Sequence, residues 1–510
     1  MRALICLVLT LAPALGADRG LKLDELIANA PAVAHAFVGI QVVRLSDGEV
    51  LYAHNADRLF LPASNMKLFT TAMALRRLGP DYRLKTQIVA DSTVDSAGTL
   101  AGDLRLVGGG DPSLSGRDYP YRNHAPSSAV YSFRAIDELA DQVVAKGVRR
   151  IDGDIVGDDT RYVWEPHAGG WSSGNAIWEY GAPVSALILD DNSFAVTVRP
   201  ASRTGDLAVI QVKPSLEYFA IDNRVVTTDG GERKIEFDRN AAGRELHIWG
   251  TLPKGDAGIT EELAVADPAL YAAQALRDAL LRRGVAIHGD AVALHQYTDD
   301  DAAATESKPA VVLAERSSPP LLELLQVTDK VSQNLHAEVF LRETAVAAGR
   351  RGSRDAGLKE MADFLGGLGL SKDSYQFTDG SGLSRSTLVS PAAIVRLLAA
   401  MYNSDDRQRW LDLLPVGGLD GTLGTRFGGQ ASARGIRAKT GTLDHVRALS
   451  GRRVGHLWTA GLFVSGKQLR GARLGRYPAV RRACAGAAAL IPLPHGRGSV
   501  FCAKIGIKTH

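Results

Sequence analysis

Ser64-Asn65-Met66-Lys67 sets a hydroxyl three residues before an amine. Leu61-Pro62-Ala63 reads as a loop that arrives at a helix start. Beyond it Leu68, Ala72 and Leu75 recur at i, i+4 and i+7, one apolar helical face, until Gly79-Pro80 stops the helix. Residues three apart share a face, so Lys67 can bring its amine to the Ser64 hydroxyl. The helix N-terminus favours negative charge developing on an attacked oxygen. A serine without a histidine partner becomes a nucleophile in this way, provided that the lysine is kept neutral by burial and by neighbouring positive charge. Chance alone supplies about one or two S-x-x-K matches in a chain of this length, so the pattern needs company.

Two further motifs supply it. Lys439-Thr440-Gly441, followed by Thr442, is the only K-[ST]-G in the chain. Arg437 to Leu443 reads as a short strand, with a glycine where the backbone must come close to a ligand. Ser332-Gln333-Asn334 is an S-x-N that opens a helical run from Leu335 to Leu341 and follows an apolar helix at Leu321 to Leu325. Ser173-Gly174-Asn175 also fits S-x-N, but it lies in a Gly- and Trp-rich loop, so Ser332 is preferred. Taken alone, Ser332-Gln333-Asn334 is an ordinary helix N-cap.

The order S-x-x-K, S-x-N, K-T-G is the signature of serine β-lactamases and penicillin-binding proteins. The first gap, Ser64 to Ser332, is more than twice the second, Ser332 to Lys439. It is far too long for a β-lactamase and implies inserted domains. In this the chain resembles the class C low-molecular-mass penicillin-binding proteins, the D-alanyl-D-alanine carboxypeptidase/endopeptidase family. Gly108 to Leu114 (GGGDPSL), Tyr180 to Leu187 and Asp379 to Arg385 (DGSGLSR) are similar to further stretches of that family. The resemblance runs from about residue 20 to about 451. It implies an α+β multidomain fold: a β-lactamase/transpeptidase-like catalytic domain, an antiparallel sheet covered by helices, carrying nested α/β and β-rich insertions.

The 510 residues suffice for several domains. Cys6 lies in the first residues and Cys484 and Cys502 in the last stretch, so no disulfide framework holds the body of the chain. The histidines show no metal-ligand spacing. No metal and no cofactor are expected. Residues 1–16 read as a secretory signal peptide, with Arg2 as the charged start, an apolar core from Ala3 to Leu15, and small residues at the cleavage site. The apolar run is too short for a comfortable membrane span. A periplasmic location without a transmembrane anchor follows.

Residues 17–81 and 311–451 are assigned to the catalytic domain, with strands at Phe37 to Arg44 and Val50 to His54, and with Val311 to Ala314 resuming it. Residues 82–189 and 261–310 form the inserted domain. It contains two related helix–strand units, Phe133 to Lys146 leading into Gly147-Val148, and Tyr271 to Arg283 leading into Gly284-Val285. Residues 190–260 alternate apolar and polar positions with many turns, a second, nested β-rich domain. Residues 452–510 form an atypical basic tail. From Gly451 onward there are eight arginines, three lysines and no acid, a net of +11, which leaves −8 for the remainder of a chain whose total is +3. A replaced or frameshifted C-terminus is the favoured reading, ahead of a divergent but folded tail and of a basic arm.

The resemblance also implies roles. Ser64 attacks the carbonyl of a D-Ala residue in a peptidoglycan stem peptide or cross-link, with Lys67 as general base. Backbone N–H groups of Ser64 and Thr442 hold the oxyanion. Ser332 relays a proton to the leaving amine, and Asn334 holds the substrate amide. Lys439, Thr440, Gly441 and Thr442 form the strand that binds the terminal carboxylate. β-Lactams are inhibitors, and no nucleic acid partner is expected. The alternatives are a catalytically impaired peptidoglycan-binding protein, on account of the C-terminus, and a β-lactamase, which the insertion and the lack of a Glu-x-x-Leu-Asn element oppose.

Overall fold

The computed structural model describes residues 23–25, 27–29, 36–123, 131–240, 243–298, 310–427, 430–453 and 456–464. The segment expected to be a signal peptide and the residues after 464 lie outside them.

Strands β1 (Ala36–Arg44) and β2 (Val50–His54) form a hairpin. At the far end of the chain β3 (Arg437–Leu443), β4 (Val446–Arg453) and β5 (His456–Val464) form a meander. The two ends join into one antiparallel sheet of order β3-β4-β5-β1-β2, with β5 in register with β1 from Ala36↔Val464 to Arg44↔His456. β1 is buried on both faces, Val38, Ile40 and Val42 pointing one way and Gly39 and Val43 the other, and Val43 joins the core of the catalytic part. That core is helical. Helix α1 (Lys67–Leu78) contributes Leu68, Phe69 and Met73, and it packs with α4 (Leu321–Lys330), α5 (Asn334–Ala347), α6 (Arg354–Gly367), α7 (Pro391–Tyr402) and α8 (Arg407–Leu413) in one apolar cluster. No helix among the described residues is long and apolar enough to cross a membrane.

The segment between the two parts of the catalytic domain carries helices α2 (Arg134–Ala145) and α3 (Pro268–Arg282), each leading into a short strand. Those strands, Arg150–Ile151 and Ala286–Ile287, pair in parallel. A five-stranded sheet runs in the order 291–296, 155–163, 104–107, 85–90, 311–317. Between the two units lie two three-stranded sheets spanning 193–264.

Two expected boundaries move. Val311–Ser317 does not resume the catalytic domain; it pairs antiparallel with Lys85–Ala90, and Leu313 and Ala314 are buried in the inserted core. A single edge strand carries too little pattern to reveal which of two sheets will pair with it. The tail expected from 452 also begins too early. Arg452 and Arg453 finish β4, and His456–Val464 is the strand that joins the two halves of the catalytic sheet. HLWTAGLFV is rich in strand formers. A charge tally over sixty residues averages it with the arginines that follow and hides it.

Candidate active site

The first turn of the nucleophile helix is held from both sides. Ala63–Met66 is a 3-10 turn that runs directly into α1, and Ala63 has φ +48°, a left-handed conformation that costs energy for a residue with a Cβ. On one side stands β3. A Cβ on Gly441 would lie 2.5 Å from the Pro62 carbonyl oxygen, so this glycine admits the Ser64 turn itself, where sequence reasoning expected a ligand. On the other side stands the 379–384 loop, where a Cβ on Gly382 (φ +78°) would lie 1.9 Å from the Ala63 oxygen. Behind the turn, the buried Asn65 donates to Ser450 Oγ of β4 at 2.8 Å.

Lys67 is fully buried. Its Nζ lies 3.0 Å from Ser64 Oγ, 2.6 Å from Asn334 Oδ1 and 2.9 Å from the Ser381 carbonyl oxygen. Burial first, and then the charge of Lys439, push its pKa well below the usual lysine value, against the opposing pull of Asp379, Asp329 and Glu338. A neutral amine has two hydrogens and one lone pair. The amide oxygen and the carbonyl can only accept, so they take both hydrogens, and the lone pair is left facing the Ser64 hydroxyl.

Asn334 is committed at both ends. Its Nδ2 donates to the Tyr180 carbonyl at 2.7 Å, so its place in the structure is to orient Lys67. Ser332 is not the helix cap. That place belongs to Gln333, whose side chain accepts from the Leu335 N–H, while Ser332 stands before it at φ +69°. Its hydroxyl is thereby free to meet Lys439 Nζ at 2.8 Å. Lys439 is also fully buried and donates to the Thr440 carbonyl at 3.0 Å. Burial lowers its pKa to about 8, with Asp329 opposing. Thr440 Oγ1 lies 2.8 Å from Thr422 Oγ1, and Thr442 is exposed on the edge strand. The structure therefore gathers Ser64, Lys67 and Asn334 on one side, and Ser332 and Lys439 to Thr442 on the other. Ser173–Asn175 is a separate 3-10 turn.

Sequence reasoning missed the supports. Glu338 Oε1 accepts from the N–H groups of Gly380 and Ser381, both at 2.9 Å, and so fixes the carbonyl that faces Lys67. Asp379 accepts from Ser384 N–H, Ser381 Oγ, Thr387 Oγ1 and Trp171 Nε1. The DGSGLSR stretch was the available signal. Thr422 offered none. The GGGDPSL stretch lies elsewhere: a Cβ on Gly109 would lie 1.8 Å from the Lys85 carbonyl oxygen, which makes this a close crossing inside the inserted domain.

Residues 20–469 match the family model described as the D-Ala-D-Ala carboxypeptidase 3 (S13) family. The chain belongs to that family. It is a serine-type carboxypeptidase of the penicillin-binding class, and the match extends through β5. Among its relatives, a D-alanyl-D-alanine carboxypeptidase of Actinomadura sp. is 35% identical over 457 residues, covering 86% of this chain and 80% of the relative. The carboxypeptidase DacB of Haemophilus influenzae is 26% identical over 424 residues, covering 81% of each. The crystal structure of penicillin-binding protein 4 from Haemophilus influenzae superposes with a TM-score of 0.75 at 22% identity, over 90% of this chain and 96% of that one. The S13 family fold is thus present from the first strand to the last.

Proposed function

We propose that this family member cleaves D-Ala-terminated peptidoglycan peptides, as a carboxypeptidase on stem peptides and as an endopeptidase on cross-links, through an acyl-enzyme on Ser64. The observation that carries this is the Lys67 amine, 3.0 Å from Ser64 Oγ, with its other two partners limited to accepting hydrogens. Lys67 takes the Ser64 proton as Oγ attacks the D-Ala carbonyl. The backbone N–H groups of Ser64 and Thr442 receive the oxyanion. Ser332 passes its proton to the departing amine and is reprotonated by Lys439, which donates to it, while Lys67 holds the Ser64 proton and returns it when Oγ leaves the acyl group. Lys439, Thr440 and Thr442 attract the terminal carboxylate, and Gly441 lets their strand lie against the nucleophile turn. Asn334 orients Lys67 and borders the substrate amide. Water then releases the acyl group. A β-lactam presents the same carbonyl and carboxylate and is trapped as a stable adduct. The working compartment is the periplasm, reached by the signal sequence.

Covalent labelling with a fluorescent penicillin tests the reading. Wild-type protein takes up label at Ser64, and Ser64→Ala, with unchanged thermal unfolding, takes up none. Label persisting on the variant, mapped to another residue, overturns the assignment.

A further inference from the structure

Thr71 sits one helical turn beyond Lys67 on α1 and is buried. Its Oγ1 lies 2.8 Å from the Lys67 carbonyl oxygen and 3.0 Å from Asp329 Oδ2. A threonine hydroxyl carries one hydrogen, and a carbonyl can only accept. If Asp329 were ionised, its oxygen could only accept as well, and one of the two contacts would press lone pair against lone pair. A proton on Oδ2 removes the conflict. Asp329 then donates to Thr71, and Thr71 donates to the Lys67 carbonyl. The second carboxyl oxygen, Oδ1, is buried without a hydrogen-bond partner among the described residues. That suits the carbonyl oxygen of a neutral acid better than half of a buried carboxylate, which gathers donors when charged.

We propose that Asp329 is a positioning residue for acylation, held as a neutral carboxylic acid whose proton is donated through Thr71 to the backbone of Lys67. This rests on the reading of Lys67 as the base. Asp329 is the last residue but one of α4, fully buried. The groups that face it are Thr71 and Lys67 from α1, Lys439 from β3 and Lys330 from its own helix. Lys67 in turn faces Lys439, Asp379 and Glu338. Burial raises the Asp329 pKa to about 7 although three lysines pull it down.

Two consequences follow. The relay fixes the turn of α1 that aims the base. A neutral Asp329 also withholds a negative charge that would favour the ammonium form of Lys67. Loss of its proton at rising pH turns the Thr71 hydroxyl toward the new carboxylate and gives the ammonium a counter-ion, so ionisation of Asp329 opposes catalysis.

The full chain with Asp329→Asn and Thr71→Val tests this. The infrared difference between wild type and Asp329→Asn at neutral pH contains the carbonyl stretch of a protonated carboxyl, and in the wild type that band fades as pH rises. An amide can replace the acid, since its Nδ2 donates to Thr71. Penicillin acylation of Asp329→Asn therefore stays within about threefold of wild type at pH 7, the scatter of a conserved hydrogen bond. It also lacks the alkaline decline of the wild type. Thr71→Val slows acylation about tenfold, the worth of one lost buried hydrogen bond. Absence of the infrared band at every pH overturns the proposal. So does a fall of about 30-fold or more in Asp329→Asn with an unchanged melting temperature, which shows that the charge itself is needed. If wild-type Ser64 took up no label, the function assigned above would fail, while the infrared band would still be readable.

Discussion

The chemistry of this site is decided by how many hydrogens each buried group can offer. Lys67 has three neighbours, and two of them cannot donate. Only the uncharged amine satisfies all three and still faces Ser64 with a lone pair. A guanidinium at this position would keep the positive charge but not the basicity, because arginine stays protonated. Lys67→Arg is therefore expected to lose at least about 100-fold in acylation rate, the lower range of general-base catalysis. The acylation rate of the wild type rises as pH climbs through the depressed pKa of Lys67, since the deprotonated form is the active one. Stopped-flow labelling with penicillin across pH measures both. A variant that acylates at the wild-type rate would reduce Lys67 to an electrostatic role. The Ser64 and Lys67 pair was legible because a spacing of three on a helix dictates contact. Asp329 was not: Thr71, Lys67 and Lys439 come from segments more than a hundred residues away on either side, and the adjacent Lys330 alone does not mark it.

At the scale of elements, the site is a junction of three backbones that touch. The 3-10 turn of Ser64 lies between β3 and the 379–384 loop, and Gly441 and Gly382 are the residues that let them approach. A methyl group at 441 would sit 2.5 Å from the Pro62 oxygen and 3.1 Å from the Ala63 Cβ. Both are parts of a turn already strained at Ala63. Neither backbone can yield without moving Ser64 relative to Thr442. Gly441→Ala is thus expected to slow acylation about 100-fold, as a misplacement of about 1 Å does, while the chain stays folded. Burst kinetics and thermal unfolding together check this. A variant with wild-type acylation would mean that β3 can retreat without consequence. The strand, the glycine and the helix starts were readable from local pattern. The pairing partners were not. Val311–Ser317 and His456–Val464 each carry an ordinary strand pattern, and what decides their place is a register with strands far away in sequence, Lys85–Ala90 and Ala36–Arg44. The reading of residues 452–464 as part of the basic tail fails for that reason. β5 is present, and it links the β3-β4 pair to the β1-β2 pair.

For the whole molecule, the question is how some two hundred inserted residues are fastened to the catalytic part without disturbing it. The answer runs along α5. Its first residue, Asn334, orients Lys67. Two residues later the buried His336 meets Asp191 at 2.8 Å, and Arg117 of the insertion grips the same carboxylate. Two turns further on, the buried Glu343 accepts from Arg161 (2.6 and 3.0 Å) and Tyr162 (2.8 Å) of the insertion, and from Tyr82 (2.5 Å) at its edge. One helix therefore presents its N-terminus to catalysis and its flank to the insertion. Glu343 offers two oxygens to four donor contacts, so its removal strands a buried tyrosine hydroxyl and leaves Arg161 without its counter-charge. Glu343→Ala is expected to lower unfolding free energy by at least about 3 kcal/mol, the usual cost of breaking a buried charged network from one side. Because α5 carries Asn334, acylation by a β-lactam should slow as well. Denaturant unfolding and penicillin labelling, measured on the same preparation, check the two effects. Destabilisation with unchanged acylation would show that the insertion is fastened to α5 but does not steady the base. Wild-type stability would show that the Glu343 network is not the fastening at all.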